Sequence, residues 1–291
     1  MELKKGYYHI LAILIVTVWG TTYIATKELI RHGLTPQDIF LYRFTIAYLG
    51  IWLISSRRFF AANLKDELWL AAGGLFGGSL YFYTENTALG ITQASNVAFL
   101  LCTVPLFTTF LSIIFYRDEK VTKGLIVGSI LALFGVAMVV FDGSTSLKIS
   151  PVGDLLTLAA SLSWAVYSLI IRRMTGRYST VFITRKVFFY GLLTILPLYL
   201  FQEPHNTNDL LTMPAVWGSL LFLAVVASLG CFVLWNVVLK KLGTVRASNY
   251  IYLSPLVTLV ASAILIHERM TLVALTGAAC IMIGVYLAEK K

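Results

Sequence analysis

Residues 214–238 read PAVWGSLLFLAVVASLGCFVLWNVV and contain no charged side chain. A helix needs about 20 consecutive apolar residues to cross the hydrocarbon core of a bilayer, so this stretch is long enough for one crossing. The whole chain of 291 residues has the same character, because 58% of it is hydrophobic and only 13% is charged. Soluble domains carry about 25% charged residues. The composition therefore indicates an integral membrane protein and excludes a soluble fold.

Similar apolar stretches recur along the entire chain and predict ten transmembrane helices. The predicted spans are residues 8–27, 38–56, 68–88, 92–115, 123–141, 152–171, 180–201, 214–238, 247–266 and 271–288. The connections between them are too short for a soluble domain. A transmembrane barrel would show alternating strands of about ten residues instead of continuous apolar runs. The predicted fold class is an all-α integral membrane protein.

The distribution of positive charge predicts the orientation in the membrane. Lysines and arginines crowd the two termini and the connections after spans 2, 4, 6 and 8. The opposite face holds Lys27, Arg31, Lys148 and Arg269. By the positive-inside rule both termini are cytoplasmic, in the inner membrane of a bacterial cell. The net charge of +9 is then attributed to basic residues at the cytoplasmic surface of the lipid bilayer, which is the expected partner, and not to binding of nucleic acid.

Sequence signatures of catalysis, metals and cofactors are missing. No H-E-x-x-H pair, no phosphate-binding glycine loop and no G-x-S-x-G elbow occurs in the chain. The three cysteines, Cys102, Cys231 and Cys280, lie inside apolar spans, as small core residues do. We therefore expect no metal, no cofactor, no enzymatic activity and no obligatory protein partner.

The second half of the chain repeats the first. Glu119-Lys-Val-Thr122 corresponds to Glu268-Arg-Met-Thr271, and two glycines follow each threonine at equal distances. The paired positions are Trp19 and Trp164, Arg43 and Arg185, Asn86 and Asn236, Pro105 and Pro255, Gly128 and Gly277, and Gly135 and Gly284. This duplication predicts two five-helix domains, residues 1–144 and 150–291.

An odd number of spans per repeat determines how the halves are arranged. A five-span unit followed directly by its copy places the copy upside down in the membrane. Inverted repeats of this kind are typical of secondary transporters, with the substrate near the bilayer midplane between the halves. The predicted mechanism is alternating access around a central cavity.

Ten spans in two repeats, each with a mid-span proline and a Glu-x-x-Thr corner, resemble the drug/metabolite transporter superfamily and, within it, the EamA-type metabolite exporters. The resemblance covers nearly the whole chain. It implies a basket of helices around a central cavity, with spans 5 and 10 at the periphery. It also implies export or facilitated passage of amino acids and related metabolites. The four-span multidrug members carry a glutamate in their first span, whereas the first predicted span of this chain, residues 8–27, contains none, so proton-driven multidrug antiport is not predicted.

Two ionisable residues within the spans are candidates for binding a small-molecule substrate. Glu85 lies in span 3, where a carboxylate at membrane depth is costly. It either contacts the amine of a zwitterionic substrate or reaches water at the outer end of its helix. Arg43 in span 2 either extends to the membrane surface or pairs with Glu85 or with a substrate carboxylate. Arg185 and Lys186 lie where cations are expected at a helix end.

Aromatic residues near the middle of the spans are the second group of candidates. Membrane proteins usually place Trp and Tyr at the interfaces, so rings at mid-span suit the wall of a cavity. Ordinary helix packing is the alternative for each. The candidates are Trp19, Tyr81, Trp164, Tyr167 and Tyr252.

Two pairs of repeat-related residues are candidates for gates and hinges. Asn86 and Asn236 fall at opposite ends of their spans, which suits alternate gates, although hydrogen bonds between helices are the favoured alternative explanation. Pro105 and Pro255 interrupt the backbone hydrogen bonds of spans 4 and 9, as a hinge or as a static kink. The Glu119 and Glu268 corners are interpreted as helix starts.

The function predicted from the sequence is a secondary transporter for a small organic metabolite, preferably an amino acid. A flippase for an amphipathic or lipid-linked molecule is the alternative within transport, and it would need a lateral opening. A membrane-embedded enzyme is the alternative outside transport. A purely structural protein would have no use for an inverted duplication with ionisable residues inside its spans.

Overall fold

The computed structural model describes residues 2–56, 58–92, 94–116, 122–140, 150–203, 212–257 and 272–289. Within these ranges the regular secondary structure is helical. The α-helices are α1 (Glu2–Arg31), α2 (Pro36–Trp52), α3 (Leu64–Gly74), α4 (Leu80–Ile91), α5 (Ala94–Leu101), α6 (Val104–Phe115), α7 (Lys123–Val140), α8 (Pro151–Met174), α9 (Thr180–Leu200), α10 (Pro214–Leu221), α11 (Cys231–Leu242), α12 (Thr244–Asn249) and α13 (Leu272–Glu289).

Several helical segments have the length and apolar composition of membrane spans. Among the described residues, five segments qualify as full spans, namely Gly6–Arg31, Asn96–Phe115, Pro151–Met174, Thr180–Leu200 and Pro214–Leu242. Two shorter apolar helices, Lys123–Met138 and Leu275–Ala288, accompany them. The predicted spans 38–56 and 68–88 coincide with α2 and with the continuous helix formed by α3 and α4. An all-helical membrane protein is therefore confirmed, while the count of ten crossings stays a prediction.

Two π-helical segments occur at repeat-related positions. The first π segment, Leu75–Ser79, joins α3 to α4, and the second π segment, Phe222–Gly230, joins α10 to α11. When the first π segment is shifted along the chain by the number of residues between Asn86 and Asn236, it falls within the second π segment. Glycine lets the first segment approach its neighbours, because a Cβ on Gly77 would lie 2.1 Å from the ring of Tyr167. π-helical turns are rare and concentrate at functional sites.

Both mid-span prolines follow a break in the helix. Helix α5 ends at Leu101 and α6 begins at Val104, so Pro105 stands in the first turn of α6. In the second half, the 3₁₀ turn Tyr250–Leu253 separates α12 from a further helical turn at residues 254–257, which contains Pro255. A proline in a first turn sacrifices no hydrogen bond. Each proline stands just after the break, and its role as a hinge or a static kink stays a prediction.

Helices α7 and α13 form a close pair at one side of the molecule. A Cβ on Gly135 would lie 2.5 Å from the carbonyl oxygen of Gly277, and one on Gly128 would lie 2.5 Å from that of Gly284. The predicted close-packing role of these four glycines is confirmed. The corner residues Glu119, Glu268 and Thr271 lie outside the described residues.

Candidate functional site

A central cavity of about 50 Å³ lies between the two halves of the chain. This volume is smaller than that of typical small-molecule sites, roughly 300–1,000 Å³, so the cavity has to widen to hold a substrate. Its walls come from α1, α2, α4, α5, α6, α8 and α11 and from the 3₁₀ turn. The lining residues are Val16, Trp19, Thr22, Tyr23, Arg43, Tyr81, Phe82, Glu85, Leu101, Val104, Trp164, Phe232, Ile251 and Ser254.

The cavity brings together five of the residues singled out from the sequence. They are Trp19, Arg43, Tyr81, Glu85 and Trp164. These residues come from α1, α2, α4 and α8, and only the folded structure shows how close together they lie. Both candidate charges are included. The cavity is therefore the candidate functional site.

Arg43 is buried and does not extend to the membrane surface. Its side chain is 2% exposed, which makes the interpretation as a surface-reaching cation wrong. Its Nε donates a hydrogen bond to Ser228 Oγ at 2.5 Å, and its guanidinium lies 4.5 Å from the ring centre of Phe82. The hydroxyl and the ring hold the guanidinium in place, and one side of it faces the cavity.

Glu85 is also buried, at 6% exposure, so it does not reach water at a helix end. The hydroxyl of Tyr81, one turn earlier on α4, donates to its Oε1 at 2.9 Å. Glu85 and Arg43 line the same cavity without a direct ion pair between these two described side chains. A cation and an anion thus face one space from different helices, and each retains bonding capacity for a ligand.

Aromatic rings form the rest of the wall. Trp19 and Trp164 pack edge to face with their ring centres 5.3 Å apart. Tyr81 lies 4.8 Å from Trp164, and Phe232 lies 5.5 Å from it. Aromatic pairs favour such edge-to-face and tilted arrangements. The wall is mostly apolar, as in binding sites that accept an organic molecule.

Tyr167 and Asn236 hold helices together outside the cavity. The Tyr167 hydroxyl donates to Asn236 Oδ1, and Asn236 Nδ2 donates to Thr184 Oγ1, each at 2.9 Å. These bonds join α8, α9 and α11. The structure therefore corrects the expectation of a cavity-wall role for Tyr167, and it favours the helix-to-helix interpretation of Asn236.

Tyr252 and Asn86 also lie away from the cavity lining. Tyr252 is fully buried in a separate apolar cluster with Ala132 of α7 and Ile281 of α13, which corrects its expected place in the wall. Asn86 is 1% exposed, and its amide has no hydrogen-bond partner in the described part of the chain. Pro105 and Pro255 do not line the cavity either.

Sequence reasoning missed several lining residues that the repeat itself could have indicated. The residues directly before the two prolines, Val104 and Ser254, both line the cavity. Phe82 and Phe232 also line it, and each stands four positions before its repeat-related asparagine. Matching the repeat position by position, instead of selecting unusual residues, would have found these pairs.

A polar network ties the two halves together at the end of the molecule where α3 begins. Glu67 forms an ion pair with Lys186 and accepts a hydrogen bond from the Tyr190 hydroxyl at 2.5 Å. Asp66 accepts bonds from the Tyr178 hydroxyl and from Arg177, each at 2.8 Å. We call these six residues the Asp66–Glu67 network.

Asp66 precedes the apolar segment of span 3. The hydrogen bond from the Tyr178 hydroxyl, together with the charge of Arg177, lowers the pKa of Asp66 below its ordinary value. Arg185 lies at this same end, where it donates to the carbonyl oxygens of Ser56 and Arg58 and stacks over Trp52. It does not line the cavity, unlike its counterpart Arg43. Among the described residues no cluster of three metal-ligating side chains occurs.

Comparison with known proteins places the chain among membrane transporters. A sequence model described as the EamA-like transporter family matches residues 6–141 and again residues 151–289. An uncharacterized transporter of Archaeoglobus fulgidus is 28% identical over 284 residues, covering 97% of this chain and 98% of that protein. A probable amino-acid metabolite efflux pump of Escherichia coli K12 is 28% identical over 295 residues, covering 99% of this chain and 95% of the pump.

A solved crystal structure has a similar fold. It superposes with a TM-score of 0.73 at 18% sequence identity, covering 98% of this chain and 96% of the other. At this identity the similarity concerns the arrangement of helices only. It covers both halves of the chain.

Proposed function

Because the chain belongs to the EamA-like transporter family, we propose that it exports a small organic metabolite, an amino acid or a related compound, by alternating access. Like the relatives it resembles, the protein is a multi-pass membrane transporter and not an enzyme. The relative named as an amino-acid metabolite efflux pump supports the substrate class. The proposal places the substrate in the central cavity between the halves.

The observation that carries this proposal is the pair of opposite charges facing one apolar cavity. The guanidinium of Arg43 offers N–H donors in the planar arrangement that binds a carboxylate. The carboxylate of Glu85 offers acceptors for an ammonium group. Inside an aromatic wall both interactions are stronger than in water. A zwitterion such as an amino acid matches this arrangement, whereas a purely apolar molecule would leave both charges buried and unpaired.

Several features support an inverted repeat as the basis of alternating access. The family model matches the chain in two consecutive ranges. The π segments and the breaks before Pro105 and Pro255 recur at related positions. Repeat-related residues line the cavity in pairs, namely Trp19 with Trp164, Phe82 with Phe232, and Val104 with Ser254. We infer that two similar units exchange conformations, so that the cavity opens to either side in turn.

In this proposal the Asp66–Glu67 network closes one end of the cavity. Its members come from both halves, so the halves cannot separate at this end while the bonds persist. The positive-inside rule puts this end at the cytoplasm, with both chain termini, in the inner membrane of a bacterial cell. Loading of the substrate from the cytoplasm then requires the network to open. The lipid bilayer and the small substrate are the partners that the proposal names.

Counterflow in proteoliposomes tests the proposed function. Vesicles are preloaded with a mixed amino-acid pool and offered labelled amino acids outside. We expect accumulation by the unmodified protein, loss in Glu85→Gln and Arg43→Gln, and retention in Tyr252→Phe, which changes a buried tyrosine outside the cavity. Folded protein that accumulates no amino acid would contradict the substrate class. Full activity of Glu85→Gln would contradict the site.

A further inference from the structure

The two repeat-related tryptophans in the cavity wall differ in what their indole N–H groups bind. Trp19 Nε1 donates a hydrogen bond to the carbonyl oxygen of Ala227 at 3.0 Å. That carbonyl belongs to the second π segment, which α1 packs against. The N–H of Trp19 is therefore used within the protein. Trp164 Nε1 is buried and has no hydrogen-bond partner in the described part of the chain.

Aromatic rings surround the side chain of Trp164. Its ring centre lies 5.3 Å from that of Trp19, 4.8 Å from Tyr81 and 5.0 Å from Tyr167. Buried N–H groups without a partner are uncommon, because burial removes their hydrogen bond with water and no protein hydrogen bond offsets that loss of free energy. Since Trp164 lines the cavity, an acceptor inside the cavity is the available solution.

Trp235 shows that a buried N–H without a hydrogen-bond partner does not by itself indicate contact with a ligand. Its Nε1 is also buried without a partner in the described ranges, yet Trp235 is not among the residues that line the cavity. A ligand in the cavity can therefore be reached by Trp164 and not by Trp235. The two tryptophans form a natural pair of test and control positions.

Resting on the proposed function, we propose that the indole N–H of Trp164 donates a hydrogen bond to an oxygen atom of the transported molecule. Arg43 and Glu85 hold the charged groups, and Trp164 selects molecules that present an acceptor oxygen to the second half of the cavity. A substrate that fills this part of the cavity without offering an acceptor leaves the buried N–H without a hydrogen bond and binds more weakly.

The acceptor is either a carboxylate oxygen or an oxygen in the side chain of an amino acid. Pairs of amino acids that differ by one hydroxyl group distinguish the two sources. Valine has a methyl group where threonine has its hydroxyl, and phenylalanine lacks the hydroxyl of tyrosine. If the acceptor belongs to the side chain, Trp164→Phe weakens binding of only the hydroxylated member. If it belongs to the carboxylate, both members weaken equally.

The experiment measures half-saturating concentrations for both pairs by counterflow, with the unmodified protein, Trp164→Phe and Trp235→Phe. Each substitution keeps a ring and removes an N–H. We expect a roughly tenfold rise in half-saturating concentration for Trp164→Phe, the size of a lost buried hydrogen bond, and less than a twofold change for Trp235→Phe. Competition between the paired amino acids in the unmodified protein gives a readout that does not depend on how the variants fold.

The outcomes separate the inference from the function on which it rests. An unmodified protein that transports, together with unchanged affinity in Trp164→Phe, overturns the inference and leaves the transport function intact. An equal loss in Trp164→Phe and Trp235→Phe attributes the effect to packing and also overturns it. If the unmodified protein transports none of the amino acids, the proposed function fails and the inference fails with it.

Discussion

The first half of the chain contributes both charges and most of the polar side chains that line the cavity, whereas the lining from the second half is mainly apolar. Thr22, Tyr23, Arg43, Tyr81 and Glu85 all come from the first half. The second half supplies Trp164, Phe232, Ile251 and Ser254. Two units of common origin have therefore kept equivalent places around the cavity but not equivalent chemistry.

Individual repeat-related positions show how far the halves have diverged. Glu85 directly precedes Asn86 and faces the cavity, whereas Trp235 directly precedes Asn236 and is buried outside the lining. Arg43 lies in the cavity wall, and its counterpart Arg185 binds carbonyl oxygens at one end of the molecule. The duplication retained backbone features, whereas both charged side chains of the cavity lining come from one half. Such asymmetry suits a substrate that has a charged end and an apolar end.

The largest effect is expected when the charges of the first half are removed. Arg43→Gln and Glu85→Gln each lower kcat/KM by about 100-fold or more, because each leaves one charged group of the bound substrate buried without its partner. The double variant Arg43→Glu with Glu85→Arg regains part of the activity if the two charges act as a pair. Merely additive losses in the double variant would show that they act independently.

A smaller effect on transport is expected from the network at the end of the molecule. Glu67→Gln leaves Lys186, which is 5% exposed, without its ion pair, so the unfolding temperature falls while the half-saturating concentration changes less than about threefold. Glu28→Gln is the matched control, because its ion pair with Arg31 is exposed to solvent. A loss of substrate affinity as large as that of Glu85→Gln would contradict the division between cavity and closing network.

The pH dependence of stability tests the contribution of Asp66 to the Asp66–Glu67 network. The pKa of Asp66 is lower in the folded protein than in the unfolded chain, so its ionised form stabilises the fold above its ordinary pKa of about 3.9. That contribution is lost as the pH falls through the lowered folded value. Thermal unfolding between pH 7 and pH 3 in detergent detects it. In Asp66→Asn we expect the unfolding temperature to depend less on pH at the acid end of this range. An unchanged pH dependence would contradict the lowered pKa of Asp66.

The smallest effect on transport is expected far from the cavity. Gly135→Ala forces α7 and α13 apart, because its Cβ would meet the backbone of the partner helix. We expect a lower unfolding temperature with unchanged affinity for substrate. Gly218→Ala is the control, since a Cβ there meets no atom within 4 Å and alanine favours a helix. Equal destabilisation by both substitutions would contradict the close packing of α7 on α13.

The sequence was sufficient for the fold class and the family, and for part of the site. Apolar runs of spanning length predicted helices, and the paired motifs predicted a family that the comparisons confirm. Arg43 and Glu85 could be selected because charges at membrane depth are rare. Tyr167 and Tyr252 could not be told apart from Trp164, because a mid-span aromatic residue looks the same in a sequence whether it faces a cavity or a neighbouring helix.

Composition and periodicity determined that this chain is helical and lies in a membrane, because those properties depend on the average solvent preference of long segments. The repeat determined which positions correspond between the halves. Only the tertiary structure decided that charges from α2 and α4 face one cavity, and that the N–H of Trp19 is bonded where the N–H of Trp164 is not. Those facts depend on the rotation of each helix about its axis and on the packing of neighbours, which no local pattern encodes.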